Sequence, residues 1–224
     1  MAKRSVIFFD VGNTLLFPNR DRILAPLRDR GVIPSLEQWL KVERETKPEF
    51  DAAVQGGAKV DHGYWWVFYS HLLQNFGIGS DDRLRDVLVQ NTQNSANWDQ
   101  IRPGTREALM RIREIYGTAV ISNSDGKIAK VLNRCGIADC FQSITDSGIV
   151  GYEKPHSAIF EAALNAMRAL PEESLYVGDL YSVDYLGARN AGMQAILFDV
   201  AAVYDDQNLP RVESLEELRD WLKQ

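Results

Sequence analysis

The fold class predicted by this 224-residue sequence is α/β, a parallel sheet with helices, interrupted near its start by a helical insert. Three observations predict it. Short apolar runs of strand length recur along the chain, amphipathic helical patterns alternate with them after about residue 100, and residues 16–99 carry helical patterns alone. A composition of 45% hydrophobic and 25% charged residues gives a chain of this length enough apolar surface for a substantial core.

The first element is Ser5–Phe9, a β-branched and aromatic run long enough for a buried strand and too short for an independent helix. Helical patterns then cover Ser35–Arg44, Tyr64–Phe76 and Asp81–Asn91, separated by Gly and Pro. Trp39, Trp65, Trp66 and Trp98 lie in this insert or at its return and are expected to form its small core, with one or two lining a ligand pocket. Four further strands are read at Thr118–Ile121, Gln142–Thr145, Ser174–Val177 and Ala195–Phe198. Between them, Ala108, Leu109, Ile112 and Ile115 mark one helical face, Ile128, Val131, Leu132 and Cys135 a second, and Ile159, Ala162, Ala163 and Ala166 a third. Gly117 and Gly136 fall where C-terminal caps belong, and a short helix is read from Val183 to Asn190. Ser214-Leu215-Glu216-Glu217 is a capping box opening a terminal helix, whose Leu215, Leu218 and Leu222 share a face. Strands alternating with helices imply parallel pairing, so residues 1–15 and 100–224 are assigned to the main domain and 16–99 to the insert. Leu15–Pro18 and Trp98–Gly104 are the expected hinges.

Charge and composition exclude several functions. A net charge of −6 without a basic run argues against nucleic acid and anionic membranes as partners, leaving a small molecule as the expected one and a protein partner as open. No apolar run reaches the roughly 18 residues needed to span a bilayer, and the Met-Ala-Lys-Arg start lacks a signal-peptide pattern, so the expected location is the cytosol. Cys135 and Cys140 have no partners at metal-ligand spacing and read as core residues. His62, His71 and His156 likewise show no metal-binding spacing, and His156 reads as a turn or helix-start residue.

In an open parallel sheet, ligands bind outside the carboxyl ends of the strands. Four polar clusters fall there: Asp10 in Phe9-Asp10-Val11-Gly12-Asn13-Thr14, then Ser122-Asn123-Ser124-Asp125, Lys154-Pro155, and Gly178-Asp179 with Asp184. Each alone is an ordinary turn or cap. Together and in this order, FFDVGNTLL, VISNSDG, GYEKPHSAIFEAAL and YVGDLYSVDYLGARNAGM resemble the motifs of the haloacid dehalogenase superfamily. The resemblance covers residues 5–15 and 100–200, and the insert is similar in position to the family's C1-type helical cap. It implies a Rossmann-like core, an aspartate nucleophile and, in the phosphatase majority, a Mg²⁺ cofactor.

The chemistry of these side chains is consistent with that implication. A carboxylate at Asp10 can attack phosphorus and form an aspartyl-phosphate, and Mg²⁺ relieves the repulsion between them, with Asp179 as the second carboxylate ligand. By resemblance, the backbone carbonyl of Gly12 is a further metal ligand and Asp184 supports the metal's hydration shell. Ser122 and Lys154 are catalytic and phosphate-binding candidates, with Asn123 and the amides near Asn13 as additional donors. One departure matters: the family's phosphatases usually carry an acid-base Asp two positions after the nucleophile, and here that residue is Gly12. General acid-base catalysis commonly contributes about 10²–10⁴ in rate, so substrates with poor leaving groups should suffer most. Asp125, Asp184 or an insert carboxylate are the candidates to replace it. Three functions follow: a Mg²⁺-dependent phosphohydrolase of a small phosphorylated metabolite, a catalytically weak or inactive binding protein of the same fold, and a metal-independent 2-haloacid dehalogenase. Tyr152 and Tyr181 sit beside the motifs, either as packing or at the pocket mouth.

Overall fold

The computed structural model describes residues 5–57 and 63–223; His62 lies outside them. Strand β1 spans Val6–Phe9, and all four of its residues are buried. Ile7 and Phe9 face one layer of helices while Val6 and Phe8 face the other, as the two-residue period of a strand requires. The insert begins with β2 (Leu16–Pro18) and returns through β3 (Trp98–Ile101), which pair antiparallel with Leu16 opposite Ile101. The two expected hinge segments are therefore hydrogen-bonded to each other. Helices α1 (Arg20–Ile23), α2 (Ala25–Arg28), α3 (Leu36–Gln55), α4 (Gly63–Asn75) and α5 (Asp82–Gln93) lie between them.

After the insert come α6 (Thr105–Arg113), β4 (Gly117–Ser122), α7 (Ile128–Arg134), β5 (Ser143–Asp146), α8 (Ser147–Val150), α9 (Ser157–Met167), β6 (Ser174–Gly178), α10 (Leu186–Asn190), β7 (Gln194–Phe198), β8 (Arg211–Val212) and α11 (Leu215–Trp221). Among the described residues the main sheet has six strands in the order β5-β4-β1-β6-β7-β8, every pair parallel. Helices α6, α7 and α11 cover the Ile7/Phe9 face; α9 and α10 cover the Val6/Phe8 face. Because the chain runs from β1 outward to β5 and then returns to β6 on the other side, the order reverses beside β1. The crevice above that strand is where a ligand site is expected.

Two local expectations need correction. Gly117 does not cap α6, which ends through Glu114; it opens β4 opposite Val6. The helix read from Val183 to Asn190 begins as a π-turn over Tyr181–Tyr185 and becomes α-helical only at Leu186. Gly136, in contrast, has φ 73° just past the end of α7.

The insert has its own apolar cluster, with Ile23, Trp39, Phe50, Phe68, Leu72 and Leu88 among its members. Val183 of the main domain packs into it. Helix α3 starts at a capping box in which Ser35 Oγ accepts from the Gln38 amide at 3.1 Å and Gln38 Oε1 from the Ser35 amide at 2.8 Å. It runs to Gln55, eleven residues beyond the segment read from periodicity, and contains Pro48. Its buried stripe explains the shortfall: Trp39, Val42, Thr46 and Phe50 are flanked by Glu43, Lys47 and Asp51, which are buried as well. No helix among the described residues is long and apolar enough to cross a membrane.

Candidate active site

Asp10 follows β1 directly, and its amide bonds the Val177 carbonyl at 2.8 Å, which keeps the residue at the sheet's carboxyl edge. The chain then turns sharply. Asn13 adopts φ 52°, a left-handed conformation that Asn tolerates, and its amide donates to the Leu16 carbonyl at 2.9 Å. That backbone N–H, expected to face a phosphate, is thus used within the turn. The Asn13 side chain reaches Asp179 Oδ2 at 3.4 Å.

Lys154 is the hub of the site. Its buried Nζ donates to Asp10 Oδ1 at 2.6 Å, Asp184 Oδ1 at 2.7 Å and the Tyr176 hydroxyl at 2.8 Å, which uses all three ammonium hydrogens. Asn123 holds the lysine backbone from both sides, accepting from the Lys154 amide at 2.8 Å and donating to its carbonyl at 3.0 Å. In this structure Asn123 is a positioning residue. Ser122, at the end of β4 opposite Asp146, is buried and lines the same cavity as Asp10. Asp146 fastens the loop beyond it by accepting from the amides of Gly126 and Ile128, each at 3.0 Å.

Asp184 sits on the π-turn, and both of its oxygens are engaged. Oδ1 accepts from Lys154 and from Tyr176 at 3.0 Å, while Oδ2 accepts from the Leu180 amide at 3.0 Å. A π-turn here places the carboxylate inward over the sheet, a recurrent use of such turns at functional sites. Gly178 permits the approach, since a Cβ there would lie 2.6 Å from Asp184 Cγ.

Asp179 meets a partner that carries no motif. Lys47 of α3 extends into the main domain and bonds Asp179 Oδ2 at 3.0 Å, the Asp179 carbonyl at 3.1 Å and Glu43 at 2.9 Å. One turn further along the helix, Asp51 accepts from the Ser182 amide and from the Tyr204 hydroxyl, both at 2.8 Å. Glu43, Lys47 and Asp51 recur every four residues, so one face of α3 docks on the loops that carry Asp179 and Ser182. A polar stripe of this kind normally reads as a solvated face; the available signal was that it borders the apolar stripe. Tyr176 is equally silent in sequence, one aromatic residue inside an apolar strand.

The ligand-capable oxygens of Asp10, Asp179 and Asp184 lie within 4.8 Å of one another. With Glu43 they carry up to four negative charges against two on Lys47 and Lys154, a surplus of two. Burial raises the Asp10 carboxyl to about 7, with Lys154 opposing and Asp184 and Asp179 adding to the rise. Burial likewise raises Asp179 to about 6, with Lys47 opposing. Burial disfavours the Lys154 ammonium, but Asp10 and Asp184 more than compensate and hold its pKa above the usual lysine value. Buried carboxylates this crowded fit a divalent cation: Mg²⁺ prefers oxygen ligands, and a double charge matches the surplus.

Over these groups lies a cavity of about 580 Å³ whose far wall is aromatic, formed by Phe50, Tyr64, Trp65 and Trp98. Trp98 lies against Gly12. A Cβ at position 12 would come within 3.3 Å of the indole ring, which also packs on Trp65 at 5.6 Å and donates from Nε1 to the Thr92 carbonyl at 2.7 Å. A side chain at 12 would therefore press on this ring by a few tenths of an ångström. Asp125, a candidate to replace the absent acid, accepts from Ser95 at 2.7 Å and Lys127 at 3.2 Å; these contacts outweigh its partial burial and lower its pKa. It is held as a carboxylate. Tyr181 stacks on Tyr185 at 5.6 Å and Tyr152 on His156 at 4.6 Å, so both pack locally. His156 also starts α9, accepting from the Ala158 amide through Nδ1 at 3.1 Å.

Comparison with known proteins bears on the family and the fold. A family model for haloacid dehalogenase-like hydrolases matches residues 5–192. The chain is 34% identical over 210 residues to haloacid dehalogenase-like hydrolase domain-containing protein 3 of Xenopus laevis, covering 86% of this chain and 83% of that one. It is 32% identical over 201 residues to the glyceraldehyde 3-phosphate phosphatase of Methanothermobacter thermautotrophicus, covering 85% and 84%. In fold it is similar to a magnesium-bound HAD-hydrolase of Bacillus subtilis, with a TM-score of 0.71 at 19% identity over 99% of this chain and 100% of that one. The parallel sheet, the four motifs at its carboxyl edge and these matches together place the chain in the haloacid dehalogenase-like hydrolase family, with the Rossmann-like fold of its members.

Proposed function

We propose that the protein is a Mg²⁺-dependent phosphohydrolase of a small phosphorylated metabolite, working through an aspartyl-phosphate on Asp10. The observation that carries this reading is the buried cluster of Asp10, Asp179 and Asp184 bridged by Lys154. The phosphatase named among its relatives supports it. Asp10, Asp179 and the Gly12 carbonyl would hold the cation, which when bound offsets charge between nucleophile and phosphate. Asp10 Oδ2, free of Lys154, attacks phosphorus as the bond to the leaving oxygen breaks, and water then cleaves the aspartyl-phosphate, regenerating the carboxylate and releasing hydrogen phosphate. Lys154 orients the Asp10 carboxylate and presents positive charge beside it, and Ser122 donates to a phosphoryl oxygen. Helices α1–α5 act as the cap that excludes water. Location in the cytosol belongs to the same reading, supported by the free thiols of Cys135 and Cys140.

Without a carboxyl at position 12, the reading favours substrates whose leaving group needs little protonation, such as aryl phosphates, acyl phosphates or phosphoanhydrides. The test is phosphate release from an aryl phosphate and an acyl phosphate, with Mg²⁺ and after chelation. Turnover lost on chelation is expected. Absence of turnover on both, with Mg²⁺ still raising the melting temperature, would favour the second reading, a binding protein, for which glycine at position 12 in place of the acid is the motivating observation. A dehalogenase is disfavoured because three clustered carboxylates suit a cation better than a carboxylate substrate and departing halide.

Two further expectations attach to this site. Protons compete with the cation at Asp10 and Asp179, which are held at about 7 and about 6, so Mg²⁺ should raise the melting temperature more at pH 8 than at pH 5.5. Differential scanning fluorimetry reads this without turnover. Restoring the acid by Gly12→Asp alone should lower the melting temperature without a gain in turnover, because the new side chain presses on the Trp98 ring, which is held by Thr92 and Trp65.

A further inference from the structure

Tyr64 opens into the cavity above Asp10 from the first turn of α4 and is 7% exposed. Its hydroxyl is buried and has no hydrogen-bond partner among the described residues. Its ring is fixed, packing edge-on against Phe50 at 5.7 Å and Trp65 at 5.0 Å. The phenol lies within electrostatic reach of Glu43, Lys47 and Asp179, on the wall that Trp98 continues across Gly12. A buried hydroxyl left unpaired costs stability that a phenylalanine of the same shape would not. A phenol in such a place is therefore best explained by a partner that arrives with the substrate.

We propose that the Tyr64 hydroxyl donates a hydrogen bond to the leaving-group oxygen of the substrate and so assumes part of the role of the acid missing at position 12. The inference rests on the phosphohydrolase reading above. As the bond from phosphorus to the leaving oxygen breaks and the bond to Asp10 forms, the electron pair departs with that oxygen. Tyr64 keeps its proton while donating to the developing negative charge, and the departing phenolate takes its proton from solvent after release. Burial holds the phenol protonated, as a donor must be. The substrate class that follows is a monophosphate with an acidic, aromatic leaving group, which the walls of Phe50, Trp65 and Trp98 can flank.

The experiment compares the parent with Tyr64→Phe on a series of aryl phosphates whose phenols differ in acidity, alongside melting curves of both proteins. A hydrogen bond to a charged oxygen corresponds to about 10- to 100-fold. The expected result is that loss in kcat/KM for the least acidic phenol, a much smaller loss for the most acidic, and a melting temperature unchanged or raised. An equal effect across the series, no effect, or a lowered melting temperature would overturn the proposal, because the hydroxyl would then be doing structural work or none. A parent that hydrolyses no member of the series but releases phosphate from an acyl phosphate would overturn this inference alone, and one that hydrolyses neither would sink the phosphohydrolase reading with it.

Discussion

Asp10→Asn should abolish phosphate release, with kcat lowered by about 10³-fold or more, in a protein that remains folded. The amide preserves the shape of the carboxylate and can still accept from Lys154, but it has no anionic oxygen to attack phosphorus. Lys154 keeps Asp184 and Tyr176 as partners, so its ammonium stays satisfied in the variant. Stability carries a separate signature. In the folded protein Asp10 is held at about 7 against an ordinary 3.8, so its protonated form is favoured by folding. The resulting stabilisation is complete below pH 3.8 and is lost as pH rises through about 7, a loss that an asparagine cannot show. Without metal, the parent should therefore lose stability relative to the variant between pH 4 and pH 8. Melting curves across that range test the electrostatics, and single-turnover phosphate release tests the chemistry. Persistent turnover in Asp10→Asn would exclude the nucleophile assignment, whatever the melting curves show.

Gly178→Ala should give the largest effect away from the nucleophile. The added methyl would stand 2.6 Å from Asp184 Cγ, 2.7 Å from its Cβ and 2.9 Å from Oδ2, all well inside contact distance. Overpacking of this kind costs about 1–3 kcal/mol, or about 3–10 °C in melting temperature for a chain of this size. The loss in activity should exceed the loss in stability. Asp184 cannot retreat without releasing Lys154 at 2.7 Å and Tyr176 at 3.0 Å, and Lys154 then loses the anchor that aims it at Asp10. A variant that melts with the parent would show that the π-turn moves freely, and the packing argument would fail. A folded variant with full kcat would separate Asp184 from the orientation of Lys154.

Much of this molecule is legible without coordinates because its informative residues are local. Strands β1, β4, β6 and β7 carry short apolar runs, and Asp10, Ser122 and Asp179 stand at or directly after the ends of β1, β4 and β6, whereas Lys154 follows β5 only after α8. Asp10, Ser122, Lys154, Asp179 and Asp184 are legible as a candidate set through the order of their motifs and the family resemblance. The C-terminal helix was equally readable, since Ser214 Oγ does accept from the Glu217 amide at 3.1 Å. Strand β8, only two residues long, offers too little pattern to detect. The π-turn at Tyr181–Tyr185 shares its residue types with an α-helix and differs only in its hydrogen bonds.

What the sequence by itself determined is thus the α/β class, the candidate site residues as a proposal and the absence of a side chain at position 12. Tertiary structure alone decided which partners those residues meet. Lys47 reaches Asp179 across 132 positions, and Trp98 returns from the insert to lie against Gly12. Local periodicity reports which helix face differs from its neighbours, but a polar face looks the same whether it meets water or a buried carboxylate. The difference lies in desolvation, which depends on what packs against the face, and that is set only when the insert closes over the sheet.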